Sequence, residues 1–328
     1  MAELVGDTLQ ITGDAADNVI SIEELMPGEI TLSGDTSGVF TGVTNISVVT
    51  GGGGDVVSVS GVSIAGNLDI GTGGGDDTVS MLDANIGGNL SIATAGGSDT
   101  VDLLFVGVAG SASVSSSAAA GLSDMFFINS VSTGGDLSLS TGQGNDLIFN
   151  DDLSVGGSYS VSMGGGDDEV YGFLGTVAGD FDVRVGGGTN FIDFASYDVS
   201  GDVIVIGGGG GDSITLGEFN ATPQSPSGGD WLIMSGGDGD SIFLYGNVVN
   251  GTTYIATGGG DDDLTIDTSA LDGVTVILMQ GGDDDTLTIS GSTIDGFALI
   301  SGGGGSNDTI NYDAIDAFFL LFGFENTP

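Results

Sequence analysis

Apolar and polar residues alternate in short runs that break at glycine. In residues 72–93, TGGGDDTVSMLDANIGGNLSIA, a strand over 78–82 puts Val79 and Met81 on one side and Ser80 on the other. A second strand over 89–93 puts Leu90 and Ile92 together and Ser91 opposite, with one turn rich in Gly and Asp and another around Gly88. The same block recurs. The Asp that closes each Gly-rich turn falls at Asp55, Asp77, Asp99, Asp124, Asp146 and Asp168, then Asn190 holds the place, then Asp212, Asp240, Asp262, Asp285 and Asp308. A second glycine follows eleven residues later in almost every block, from Gly66 and Gly88 to Gly273 and Gly296. A strand with one apolar face cannot bury it alone, so the units must stack. The pattern predicts an all-β chain, a parallel β-solenoid of about 12 rungs of about 22 residues, with almost no α-helix. At ~4.8 Å per rung the stack is on the order of 55 Å long.

Departures from the period divide the chain. Residues 1–50 fit poorly and are expected to form irregular rungs or a cap, with residues 11–22 (ITGDAADNVISI) as one worn turn and strand and Asp17 in the Asp position. Residues 51–310 carry the repeats. Residues 311–328 end in AFFLLFGF (317–324), the longest apolar run and far too short to span a bilayer. This segment is a candidate cap, assembly element or export signal. The insertion 218–227 (EFNATPQSPS) holds two of the four prolines and is expected to leave the solenoid as a surface loop. Residues 111–121 (SASVSSSAAAG) carry a short excess in a degenerate rung. The N-terminal MAELVGDTLQITGD has no basic n-region and no apolar h-region, so it does not resemble a Sec signal peptide.

Composition narrows the chemistry. Forty-six acidic residues against the single base Arg184 give a formal net charge of -45, with no His and no Cys. A surface without cations cannot neutralise phosphates, which excludes nucleic acid and attraction to anionic membranes. Thiol, Ser-His-Asp and zinc chemistry lack their residues. Arg184 reads as a surface ion pair. Hydrophobic residues at 39% support a packed core rather than disorder. Oxygen donors remain, and they suit hard cations.

The turns TGGGGDVVS (50–58), TGGGDDTVS (72–80), TGQGNDLIF (141–149), MGGGDDEVY (163–171) and TGGGDDDLT (257–265) resemble the RTX (repeats-in-toxin) calcium-binding nonapeptide, G-G-x-G-x-D-x-U-x. TGQGNDLIF matches at Gly142, Gly144, Asp146 and Ile148, and the resemblance spans most of residues 50–310. It implies a right-handed parallel β-roll, with calcium between successive turns bound by backbone carbonyls and the sixth-position Asp. Two departures stand out. The first position is rarely Gly, and each rung has one nonapeptide rather than two, so the resemblance implies one calcium column and none at the Gly88-type turn. The expected ligands are Asp55, Asp76, Asp77, Asp99, Asp146, Asp167, Asp168, Asp212, Asp240, Asp261, Asp262, Asp284, Asp285 and Asp308. Gaps are expected at Asp124 and Asn190, whose turns lack the full motif. Independently of the family, stacked carboxylates ~4.8 Å apart repel, and a divalent cation between them reverses the sign. The alternative is that these Asp residues only cap turns as Asx-turns do. An evenly acidic, salt-adapted surface is a weaker rival, because outward strand positions are largely Ser and Thr.

These features point to a secreted, calcium-binding structural solenoid of a bacterial surface layer, extracellular matrix or filament. The RTX resemblance implies type I secretion, and geometry allows end-to-end self-association through the apolar C-terminal rung. A binding module, adhesin or polysaccharide-recognising, is the alternative, with Trp231, Tyr159, Tyr171 and Tyr197 as exposed-face candidates whose more ordinary place is the core. No enzyme is expected: paired carboxylates abound, but the other groups of a catalytic site are missing.

Overall fold

The computed structural model describes residues 1–117, 119–221, 229–313 and 318–325. Among them there is no helix, and the chain winds as a parallel β-solenoid of about 12 turns with roughly 22-residue spacing. The chain divides into two compact units, Met1–Gly157 and Ser158–Pro328.

In the first unit the repeat pairs with itself in register. Strand Thr78–Ile86 lies parallel to Thr100–Val108, with Val79 opposite Val101 and Ile86 opposite Val108. Leu90–Ala95 lies parallel to Leu68–Gly74 and to Ala112–Ser116. The inward positions expected from alternation are the core: Val79, Met81, Leu90 and Ile92 are at most 1% exposed. The second unit repeats the scheme, as in Glu169–Val177 against Phe191–Val199 and Phe181–Arg184 against Val203–Ile206.

One strand is longer than its pattern predicts. The alternation ends at Leu82, yet the strand runs on to Ile86 through a corner at Asp83, whose φ is 55°. Two outward residues in succession, Leu82 and Asp83, mark the corner, after which Ala84 and Ile86 point inward. Phe105, Ser130 and Asp152 repeat the left-handed conformation in the first unit, and Leu174, Ser196, Glu218 and Thr268 in the second. Non-glycine residues adopt it at a cost, so the pairing on both sides must hold it in place. Each rung therefore has three straight runs rather than two.

Aromatic residues fill the core of the second unit. Tyr159, Phe181, Phe194, Tyr197, Phe219 and Trp231 form a chain of ring contacts with centroids 4.9–6.3 Å apart. Gly172 lies in register with Phe194 and Gly175 with Tyr197, and a Cβ at either glycine would meet the ring within 2.3 Å. Trp231, Tyr159 and Tyr197 are thus core residues; of the four aromatic candidates only Tyr171 faces out, its hydroxyl donating to Glu169 at 2.9 Å. Arg184 pairs with Asp182 at 2.7 Å on the surface.

The N-terminal fifty residues contain one rung and an antiparallel elaboration. Thr8–Thr12 and Val19–Met26 pair in parallel with the first regular rung, while Ala2–Val5 and the meander Val19–Met26, Glu29–Gly34, Gly38–Thr41 are antiparallel. At the other end Phe318–Phe322 adds one more parallel strand, against Thr293–Ser301. Of the 218–227 insertion, the first residues stay in the rung: Phe219 is buried, and Asn220–Ala221 pairs with Val248–Val249. Residues 222–227 lie outside the described residues.

Candidate functional site

The recurring Asp points inward, and its carboxyl is a rung-to-rung hydrogen-bond acceptor. Asp55 N–H donates to Asp77 Oδ1 at 2.8 Å, Asp77 N–H to Asp99 Oδ1 at 3.0 Å, Asp99 N–H to Asp124 Oδ1 at 2.9 Å and Asp124 N–H to Asp146 Oδ1 at 2.8 Å. In the second unit the series runs from Asp168 N–H through Asn190, Asp212, Asp240, Asp262 and Asp285 to Asp308 Oδ1, at 2.7–3.0 Å. Each of these side chains is at most 3% exposed. Asp124 and Asn190, whose turns lack the full motif, are unbroken members of this hydrogen-bond series. The short Asp or Asn side chain suits the place because it reaches one backbone N–H away and no farther. The column is closed at both ends by other residues. Asn18, not Asp17, holds the first position, its N–H donating to Asp55 Oδ1 at 2.7 Å. Glu325 Oε2 accepts the last N–H, that of Asp308, at 3.1 Å.

The second carboxyl oxygen sits differently. Oδ2 of Asp77, Asp124, Asp212, Asp240, Asp262 and Asp285 is enclosed and accepts no hydrogen bond, whereas Asp99 Oδ2 accepts from Ser116 Oγ at 3.1 Å. Burial pushes Asp124, Asp212 and Asp262 up to about 6 and Asp285 to about 7, and raises Asp77, Asp99 and Asp240. Neighbouring carboxylates add to the rise, while the backbone hydrogen bond and the Thr72, Thr94 and Thr257 hydroxyls beside Asp77, Asp99 and Asp262 oppose it. Asn190 shows what a donor does in this place: its Nδ2 donates to Gly207 O at 3.0 Å and Gly188 O at 3.2 Å.

A second series faces solvent and runs the other way. Asp17 Oδ1 accepts from Gly54 N–H at 2.8 Å, Asp76 from Ser98 at 2.9 Å, Asp167 from Thr189 at 2.8 Å and Asp261 from Asp284 at 2.9 Å. Asp284 in turn takes Asn307 Nδ2 at 2.8 Å, a bond that holds its carboxyl below the usual range. Inner side chains reach back to the preceding rung and outer ones reach forward.

The second turn carries a ladder too. Asn67 N–H donates to Asn45 Oδ1, Asn89 to Asn67, and Ser111 to Asn89, at 2.9–3.0 Å. Ser158 Oγ, Asp180, Asp202 and Asp230 continue it in the second unit, up to Thr252 N–H. The signal is a short polar residue directly after the Gly88-type glycine. Beyond the left-handed corner a shorter series joins Phe219, Asn247, Ser269 and Ser292.

The expected calcium ligands therefore fall into two sets. Calcium takes six to eight oxygens at about 2.3–2.6 Å. The inner set, Asp55, Asp77, Asp99, Asp146, Asp168, Asp212, Asp240, Asp262, Asp285 and Asp308, is buried, and at Asp77, Asp212, Asp240, Asp262 and Asp285 the enclosed Oδ2 accepts no hydrogen bond. Its Oδ1 atoms are engaged by backbone N–H, and turn carbonyls that a cation would need accept rung-to-rung bonds, Gly74 O from Gly53 at 2.8 Å and Gly96 O from Gly75 at 2.7 Å. The outer set, Asp76, Asp167, Asp261 and Asp284, is exposed at the rim of the turn, with each Oδ1 likewise accepting a backbone N–H. Among the described residues no group of three or more acidic side chains already stands at metal-binding spacing. No protein-family model, curated protein or solved structure matches this chain.

Proposed function

We propose that the protein is a non-catalytic structural solenoid that works outside the cell, in a surface layer, matrix or filament, with calcium bound at the outward acidic turns. The observation that carries the reading is where the polar side chains go: rung after rung, the Asp, Asn and Ser residues of the turns bond to an adjacent rung's backbone rather than converging on a pocket. Calcium belongs with the exposed acids of the last rungs. Asp261, Asp263, Asp283 and Asp284 crowd two successive turns, and their mutual repulsion falls when a divalent cation sits among them. An extracellular setting supplies the ion.

Calorimetry in calcium, in magnesium and in chelator tests this. Binding to the folded state alone adds about 2.7 kcal/mol at a hundredfold excess over Kd, so calcium should raise the melting temperature, and Asp261→Asn with Asp284→Asn should remove the rise. Equal melting in calcium and in chelator would end the calcium part of the reading. A binding module is the second reading, favoured by one observation: a shallow groove lined by Ile204, Leu232 and Tyr254 beside Asp202 and Asp230. Retention on a glycan array through that groove would support it.

A further inference from the structure

The outward face of one run changes character along the chain. In the first unit the outward column of this run is polar: Asp69, Ser91, Ser113 and Ser138 stack in register. In the second unit the matching column is Ile204, Leu232, Tyr254, Val276, Leu299 and Leu320, each in register with the next. The flanking outward column adds Ile206, Met234 and Leu278, and at its end Phe322 is 54% exposed. Inward packing does not require this, because Val203, Ile233, Ile255, Ile277 and Ile300 on the opposite side already fill the core. Across six rows no outward position carries a charge, in a chain of net charge -45. The preceding row ends the face with the Asp182–Arg184 pair.

We propose that this face is where a second copy of the chain docks, sheet against sheet. Charge selects the occupant. A cationic partner would be drawn to the acidic turns, and an anionic membrane would repel the chain. Two copies repel each other least where neither presents a carboxylate, and the outward strand positions of this face present none, Asp202 and Asp230 standing only at its turn edge. Apolar sheets pack about 10 Å apart, a distance that buries both faces. The size sets the strength. Six rows at ~4.8 Å by four residues at ~3.3 Å give on the order of 400 Å² per copy in plan. That is below the about 800 Å² per partner of a standard interface, so the dimer is weak and concentration-dependent. The contact does not depend on calcium, which separates it from the structural proposal above.

Sedimentation of the full chain over a wide concentration range, with calcium and with chelator, should show a monomer–dimer equilibrium in both. Leu232→Ser with Leu299→Ser places in this face the residue that the first unit carries in the same column. The double variant should stay monomeric at tenfold higher concentration with an unchanged melting curve. The chain has no cysteine, so one introduced thiol reports alone. Tyr254→Cys, near the middle of the face, should cross-link between copies with a short bismaleimide, while Ser113→Cys should not. A wild-type chain that stays monomeric throughout, a dimer that survives the serine variant, or equal cross-linking at the two thiols overturns the proposal. Should the serine variant unfold, the two cysteine variants decide the matter.

Discussion

Replacing Asp262 separates the two roles a buried carboxyl can have. Its Oδ1 accepts Asp240 N–H at 2.8 Å, its own N–H donates to Asp285 Oδ1 at 3.0 Å, and the residue is 2% exposed. Asp262→Ala keeps the second bond and orphans the Asp240 N–H inside the solenoid. A buried donor without a partner costs about 1–3 kcal/mol, which for a cooperative unit of this size lowers the melting temperature by several degrees. Asp262→Asn keeps the accepting oxygen and puts an NH2 where Oδ2 stands, as Asn190 does naturally with its donation to Gly207 O. At pH 5 the Asn variant should match the wild type. At pH 8 it should be the more stable, because there the wild type must hold an ionised carboxylate whose burial pushes it up to about 6. Thermal unfolding followed by circular dichroism, in chelator at both pH values, gives the comparison. An Asn variant as damaged as the Ala variant at both pH values would refute the reasoning, since a charged ligand rather than an acceptor would then be what the position requires.

The raised carboxyls of the inner column make stability depend on pH with a definite sign. Asp124, Asp212, Asp262 and Asp285 titrate higher folded than unfolded, where the ordinary value is 3.8, so their contribution is complete below pH 3.8 and is lost as pH rises through about 6 to 7. Melting temperature should climb from pH 8 to pH 5, the fourfold Asn variant should flatten the climb, and a flat wild-type profile would contradict it. Gly73→Ala should cost several kcal/mol by chemical denaturation. Gly73 has φ +96°, and a Cβ there would stand 1.6 Å from Gly51 O. Gly74→Ala, whose Cβ would come no nearer than 3.8 Å to Gly96 O, should cost under about 1 kcal/mol. Equal losses at the two glycines would show that rung contact is not what selects them.

Period and alternation made the solenoid legible, because burying Val79, Met81, Leu90 and Ile92 leaves few other ways to fold. The corner at Asp83 was not legible. Its conformation is held by pairing on both sides, and Asp, Phe, Ser, Leu, Glu and Thr all occupy it in different rungs, so no residue type announces it. The Asp periodicity located the inner column, but spacing alone does not say which way a side chain points. Asp76 and Asp77 are neighbours in sequence and face opposite sides of the turn, one exposed and one 1% exposed. The Asn67–Asn89 ladder was hidden because Asn, Ser and Asp serve equally as acceptors, which dissolves the pattern into several letters. The shift of residues 204–322 to an apolar outward face shows in the sequence only once the strand register is known.

The inner column also explains how such a chain tolerates changes of length. The bond from Asp99 to Asp124 is 2.9 Å although 25 residues separate them, and that from Asp212 to Asp240 is 2.7 Å across 28. The fastening stays the same at either spacing. Since interior rungs offer one another the same kind of donor and acceptor, a turn gained or lost by duplication or deletion leaves this fastening intact, and what would have to adapt is the core fit, as at Gly172 against Phe194. Asn18 and Glu325 are particular to the ends of the series. Each unit is built as a gauge marked off in turns, with a stop at one end, Asn18 in the first and Glu325 in the second.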